Sequence, residues 1–297
     1  MLSLCYLLPW LVLPAGLSSQ DLGEPIRVEV EAVNVFVTVT DSKGRFVTDL
    51  TRDRFVVYED GVPQTIKNFS HELDRPLRIA LLLDTSSSVK LKLGFEQDAA
   101  VNFLRGVMRY NDQALVAEFD RGVTIVNDFT GSPAVLSDQI QQMRAGGGTA
   151  LWDALYLLAR DKMTARNARK TIILLSDGED LHSKYSWEEA REMLQASEVT
   201  VYAIGTTRFG ASSSKEGEEN LKRIAEETGG TAFFPYSAER LEEAFDLINT
   251  ELRSQYTLTY EPKNKQPDGR FRRIEVRIID GKGLKVRHRR GYMIPDF

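Results

Sequence analysis

Valines at positions 33, 35, 37 and 39 alternate with other residues, and Ile26, Val28 and Val30 alternate before them, one residue out of phase. A period of two marks half-buried strands, and the phase shift predicts a bulge. Turn signals follow at residues 41–44 and at Asp60-Gly61. The second lies between Phe55-Val56-Val57-Tyr58 and a further short run, as in a hairpin. At Arg78 the pattern changes: Ile79-Ala80-Leu81-Leu82-Leu83, residues 171–175 and residues 199–205 are near-continuous apolar runs. Strands apolar on both faces belong to a parallel sheet covered by helices. Helical spacings separate and follow these runs: Phe95, Ala99, Phe103, Val107; Leu151, Leu155, Leu158; Trp187, Ala190, Leu194; Leu221, Ile224, Ala225; and Leu241, Phe245, Ile248, Leu252. Strand and helix in alternation predict a doubly wound α/β domain with a mainly parallel sheet.

Punctuation supports the helices, since Ser186 with Glu189 forms a capping box and Gly229-Gly230 follows the helix containing Leu221. After Arg253 the period returns to two, with Tyr256, Leu258, Tyr260 and later Ile274, Val276, Ile278 on either side of a turn-rich stretch at 262–269. The expected organisation is a signal peptide at 1–19, an N-terminal β module at 20–76, the α/β domain at 77–253, and a C-terminal β segment at 254–297. A few strands bury little surface alone, so the two β segments are expected to pack as one unit from which the α/β domain projects.

Composition changes this picture in three places. Hydrophobic residues at 42% and charged residues at 27% fit a globular chain, and a net charge of −5 with both signs interspersed leaves no basic stripe for a phosphate backbone, which argues against nucleic acid as a partner. Residues 1–19 carry no charge and are dominated by Leu, Val, Pro and Trp, with small residues at Ala15, Gly16, Ser18 and Ser19 that suit cleavage. The run is short for a membrane span and reads as the apolar region of a signal peptide, with retention as an anchor or a buried N-terminal segment as alternatives. Cys5, the one cysteine, lies inside it, so the mature chain would hold no disulfide, thiolate metal site or cysteine nucleophile.

Candidate chemistry gathers where strands end. The run through Leu83 leads into Asp84-Thr85-Ser86-Ser87-Ser88, and the strand at 171–176 delivers Asp177-Gly178 to the same rim, where ligands bind in open α/β sheets. Gly146-Gly147-Gly148-Thr149 adds a flexible loop and a third hydroxyl before the helix at Leu151. An oxygen-only shell of hydroxyls with few carboxylates suits Mg²⁺ or Mn²⁺ better than Ca²⁺. With one aspartate in direct contact the site stays electropositive, and an external carboxylate would supply the missing ligand with an attraction on the order of several kcal/mol.

Asp84-x-Ser86-x-Ser88 with Thr149 and Asp177 resembles the metal-ion-dependent adhesion site of von Willebrand factor type A domains, including integrin I domains, over roughly residues 77–253. The resemblance implies that the serines and usually the threonine coordinate the ion directly, and that the aspartates bind it directly or through water. It also implies that the first strand and last helix end opposite the metal, which would bring Pro76 and Ser254 together. Residues 33–72 and the ending Arg289-Arg290-Gly291-Tyr292 look like flanks seen in bacterial secreted proteins of this type.

Taken singly, the Asp-Thr-Ser-Ser-Ser stretch also fits a helix N-cap. Asp120, Asp153, Glu179 and Asp180 near the rim fit caps, outer contacts or surface positions, and His71, His182 and His288 lack metal-like spacing. The chain shows no nucleophile elbow, phosphate-binding loop or dinucleotide fingerprint. The expectation is therefore a non-enzymatic, secreted, periplasmic or cell-surface module that holds a protein ligand through an acidic residue, with no small-molecule substrate. The membrane enters only if residues 1–19 remain as an anchor. The alternatives are an assembly component of a multi-protein or ATPase-coupled machine and a hydrolase with metal-activated water.

Overall fold

The computed structural model describes residues 32–71, 75–90, 92–165, 168–206 and 214–294. The segment 1–19 with Cys5, and the alternation at Ile26, Val28 and Val30 with its phase shift, lie outside the described residues.

The chain opens with β1 (Val33–Thr40), β2 (Phe55–Glu59), β3 (Val62–Gln64) and β4 (Ile66–Ser70). Between β2 and β3, Asp60 and Gly61 have φ of 49° and 79°, the left-handed pair that a two-residue hairpin turn requires. Next come β5 (Leu77–Asp84), α1 (Leu93–Val107), β6 (Gln113–Phe119), β7 (Val123–Ile125), α2 (Pro133–Gln142) and α3 (Leu151–Asp161). They are followed by β8 (Arg169–Ser176), α4 (Trp187–Ala196), β9 (Val199–Gly205), α5 (Lys215–Thr228), β10 (Ala232–Phe233) and α6 (Ala238–Leu252). The chain closes with β11 (Tyr256–Tyr260), β12 (Phe271–Ile278), β13 (Lys285–Arg287) and β14 (Gly291–Met293).

Strands β5 to β10 form one sheet in the order β10-β9-β8-β5-β6-β7, parallel except for the antiparallel edge pair of β6 and β7. Side chains of α1, α2 and α6 pack on one face of this sheet, and those of α3, α4 and α5 on the other. Every residue of β8 and β9 is buried, which is why these strands read as apolar runs without alternation. The capping box at Ser186 is formed, and α5 ends at Gly229 in the left-handed region. Phe95 departs from its expected place. It belongs to α1 but is 60% exposed, because the buried face runs through Glu96, Ala99, Ala100, Phe103, Leu104 and Val107 instead.

The remaining strands build two four-stranded sheets, β13-β1-β11-β4 and β14-β12-β2-β3, closed over a core of Val35, Val37, Phe55, Val57, Tyr256, Leu258, Tyr260, Ile274 and Val276. Both sheets mix strands from the two ends of the chain: β1 lies between β11 and β13, and β2 pairs with β12. Inside the unit Glu59 is buried and accepts hydrogen bonds from the hydroxyls of Tyr260 (2.7 Å) and Tyr292 (2.9 Å), which satisfies a charge that would otherwise be costly there.

The α/β domain leaves and re-enters this unit at one place. Asp112 accepts hydrogen bonds from the Leu77 backbone N–H (2.8 Å) and the Arg109 N–H (2.9 Å), and forms an ion pair with Arg253 (2.6 Å), so first strand and last helix share one carboxylate. A buried polar network spans the junction: Thr38 and Tyr202 donate to Glu251 (3.1 and 2.6 Å), Arg287 pairs with the same carboxylate, and Gln255 joins Thr38, Tyr202 and Arg169. The junction lies at the N-terminal edge of β5, so the C-terminal rim of the sheet points away from the β unit.

Candidate metal centre

The centre is assembled from three loops at the C-terminal rim of the parallel sheet. At the end of β5, Asp84 is fully buried; its Oδ1 accepts the Ser86 N–H (2.8 Å) and its Oδ2 accepts the Ser176 hydroxyl (2.8 Å). The Ser86 and Ser88 hydroxyls lie 2.9 Å apart, and Ser88 donates to Asp177 Oδ2 at 2.7 Å. Four of the residues singled out from the pattern, Asp84, Ser86, Ser88 and Asp177, thus form one continuous hydrogen-bonded chain. The helix-cap reading of this stretch fails: Ser86 precedes a single 3₁₀ turn (Ser87–Val89) with no side-chain cap, and α1 begins only at Leu93.

Thr149 is brought alongside by the backbone. Its loop is tied to the Asp84 loop through Gly146 N–H to Thr85 O (2.7 Å) and Ser87 to Gly147 O (3.0 Å from the hydroxyl). Its own carbonyl accepts the N–H groups of Leu181 and His182, both at 3.0 Å, from the Asp177 loop. The neighbouring acids hold backbone. Asp180 accepts the N–H groups of Leu151 and Trp152 at the start of α3 (2.7 and 3.3 Å), and Asp153 those of Lys184 and Tyr185 (2.7 and 2.8 Å). Asp120 accepts from Gly122 (3.1 Å), and His182 Nδ1 receives the Thr149 N–H at 3.4 Å.

Asp177 is set by a close backbone approach. A Cβ on Gly217, in the first turn of α5, would stand 2.2 Å from the Asp177 carbonyl oxygen, and one on Gly178, at φ of 79°, would stand 2.1 Å from the Gly217 carbonyl. Two glycines facing each other let α5 press directly on the loop. Asn220 fastens the contact by donating to Gly178 O at 3.0 Å.

Burial pushes the Asp84 carboxyl up to about 6; the Asp177 charge adds to the rise, and the hydrogen bonds from Ser86 and Ser176 oppose it. Two residues outside the sequence reading also matter. Ser176 bridges Asp84 Oδ2 and the Gly178 N–H (3.0 Å). Glu96, on α1, is 2% exposed, and neither carboxylate oxygen has a hydrogen-bond partner. Burial pushes its carboxyl up to about 8, with the Asp84 and Asp177 charges raising it and Lys92 opposing. A signal for Glu96 exists in the chain, an acidic residue in the apolar i, i+3, i+7 stripe of α1; Ser176 has none, since its role depends on what the strand end faces.

Among the described residues no three His, Cys, Asp or Glu side chains gather closely enough to hold a metal by themselves. The donor set at the rim is different, two carboxylates and three hydroxyls, and it fits a hard divalent cation. Glu96, in the first turn of α1 after the Ser86–Ser88 loop, is a buried carboxyl without a hydrogen-bond partner, whose ionised form a cation at the rim would stabilise.

A doubly wound α/β domain with an oxygen-lined rim at the C-terminal ends of its strands has the architecture in which open α/β sheets bind ligands. Residues 79–247 match the model of the von Willebrand factor type A domain, and the chain belongs to that family. No curated protein matches the chain. Among solved structures it is similar to an aerotolerance-related membrane protein from Bacteroides fragilis (18% identity, covering 59% of this chain and 98% of that one, TM-score 0.50). It is also similar to a von Willebrand factor type A protein from Catenulispora acidiphila (14% identity, 90% and 75% covered, TM-score 0.53). A third is proximal thread matrix protein 1 from the mussel byssus, in a form described as having a zinc-occupied MIDAS motif (19% identity, 65% and 49% covered, TM-score 0.52). The chain therefore spans about half the length of the mussel protein. At these identities the likeness concerns the fold. Domains of this family are protein-interaction modules that commonly bind a divalent metal.

Proposed function

We propose that Asp84, Ser86, Ser88, Thr149 and Asp177 bind one Mg²⁺ or Mn²⁺ ion, and that an acidic side chain of a partner protein completes its coordination. The observation that supports this reading is the hydrogen-bonded chain that runs from Asp84 through the Ser86 N–H, the Ser86 and Ser88 hydroxyls and on to Asp177 along the rim. Of this set only Ser88 is exposed, so the aspartates compensate a bound dication from within the domain, and a partner's carboxylate would reach it from the solvent side as a further ligand. The role is adhesion or scaffolding outside the cytoplasm, at a secreted, periplasmic or cell-surface location reached after removal of residues 1–19. Among the described residues no helix is long and apolar enough to cross a membrane.

Calorimetric titration of the full chain with MgCl₂ and MnCl₂ tests the metal. One site is expected in the wild type and none in Asp84→Ala, and equal affinity in two folded proteins refutes the assignment. Capture from extracellular material in Mg²⁺ and in chelator then tests the partner. A protein retained only in Mg²⁺, and only by the wild type, is expected; the same retention by Asp84→Ala refutes the ligand role.

A further inference from the structure

The buried carboxylate of Glu96 is not used by the hydrogen bonding of the fold. It sits on the inner face of α1, 2% exposed, with both oxygens unpartnered, and the charges that act on it are those of Asp84, Lys92 and Asp177. Lys92 already donates to the Thr206 carbonyl at 2.7 Å, so it is a neighbouring charge and not a salt-bridge partner. An ionised carboxylate in this position is unfavourable unless a cation stands near it. Glu96 lies in the first turn of α1, which successive backbone hydrogen bonds join to the loop carrying Ser86 and Ser88 (Val89 N–H to Ser86 O, 3.3 Å; Lys92 N–H to Val89 O, 2.8 Å; Glu96 N–H to Lys92 O, 3.1 Å), and the cluster of Asp84, Ser86, Ser88 and Asp177 at that loop is where the metal reading puts a cation.

We propose that Glu96 is a positioning residue of the metal centre: a third carboxylate, behind the ligands and not among them, whose charge holds the divalent ion in the Asp84 pocket. Two formal charges on Asp84 and Asp177 balance a divalent ion, and Glu96 offsets the remaining positive charge of Lys92. Because Glu96 stays outside the donor set, the outward coordination position remains open for a partner's carboxylate. Its cost appears only without metal, as an uncompensated carboxyl in an apolar helix face, a stability–function trade of the kind that binding sites carry.

This inference rests on the metal reading of the rim, and the two fail differently. Glu96→Gln, made in the full chain, keeps shape and removes the charge; Glu96→Met removes the polar atoms as well. Mg²⁺ and Mn²⁺ affinities are measured by calorimetry, and stability in chelator by urea denaturation. Both variants are expected to bind metal at least tenfold more weakly than the wild type while being as stable as it, or more stable, in chelator. Glu96→Met should show the larger gain, because the glutamine amide still lacks partners. A wild type that binds no metal refutes the metal reading itself. A wild type that binds, with either folded variant matching its affinity, overturns the role of Glu96 alone. So does a loss of stability in chelator shared by both variants, which would make Glu96 a structural residue.

Discussion

Replacing Gly217 by alanine isolates the contact that sets the Asp177 loop. In an unconstrained helix this change stabilises by about 0.5–1 kcal/mol, since alanine loses less backbone freedom on folding. Here the new Cβ would stand 2.2 Å from the Asp177 carbonyl oxygen, roughly 1 Å inside the closest contact such atoms make, and the neighbour is backbone that cannot swing aside. Forcing α5 outward is an overpacking change costing about 1–3 kcal/mol, so the net effect is a loss of about 1–2 kcal/mol in place of a gain. At about 2–4 °C per kcal/mol for a chain of this size, the melting temperature in chelator should fall by several degrees. The same shift moves Asp177, whose 2.7 Å bond from Ser88 does not survive a displacement of about 1 Å. Metal affinity should therefore drop about tenfold or more, equivalent to about 1.4 kcal/mol. Differential scanning calorimetry in chelator and titration with Mg²⁺ read the two effects separately. A melting temperature that rises, with unchanged metal affinity, would show that α5 does not press on the loop, and the account of how Asp177 is placed would be wrong.

Leu174 is fully buried in the middle of β8, and Leu174→Ala should cost about 3–5 kcal/mol in urea denaturation through lost transfer energy and a cavity; a cost below about 1 kcal/mol would contradict a close-packed core. His288 accepts the Val276 N–H at Nε2 (3.1 Å), and burial holds its pKa below the ordinary 6.5, so the folded state favours the neutral ring. Its contribution is complete above pH 6.5 and is lost as pH falls from 6.5 through the lowered folded value; His288→Gln should flatten the pH dependence of stability in that window, and an unchanged slope would refute it. A fragment of residues 75–253 should fold and bind metal, whereas deleting 254–297 should leave 33–70 open to protease, because β1 and β2 lose β11, β13 and β12; continued protection of 33–70 would show that the N-terminal strands stand alone.

Local pattern determines much of this architecture. The near-continuous apolar runs at 79–83, 171–175 and 199–205 have the length and composition of strands covered on both faces, and they are the β5, β8 and β9 of the central sheet. The capping box at Ser186 and the glycine end of α5 were equally local, since each depends on residues within one helical turn. Elements with weaker local signal did not emerge. The strand β6 is interrupted by Gln113 and Glu118, and α2 is a short helix with only three buried residues, so neither carries a clear period. Of the stripe Phe95, Ala99, Phe103 and Val107 only Phe95 faces away, its place in the first turn being taken by Glu96, because helical spacing alone does not say which of two adjacent residues turns inward.

The candidate centre divides the same way. Asp84, Ser86, Ser88 and Asp177 were legible because a carboxylate or hydroxyl directly after an apolar strand has one place to go, the C-terminal rim. Nothing local could show that Ser176 ties Asp84 to the Asp177 loop, that Gly217 meets Asp177 backbone to backbone, or that Glu96 is buried without a partner. Those facts concern residues 12 to 92 positions apart, brought together by the pairing of β5 with β8 and by the packing of α1 and α5 against the strand ends. Sequence determines what each segment can bury; the tertiary structure decides which buried groups find one another.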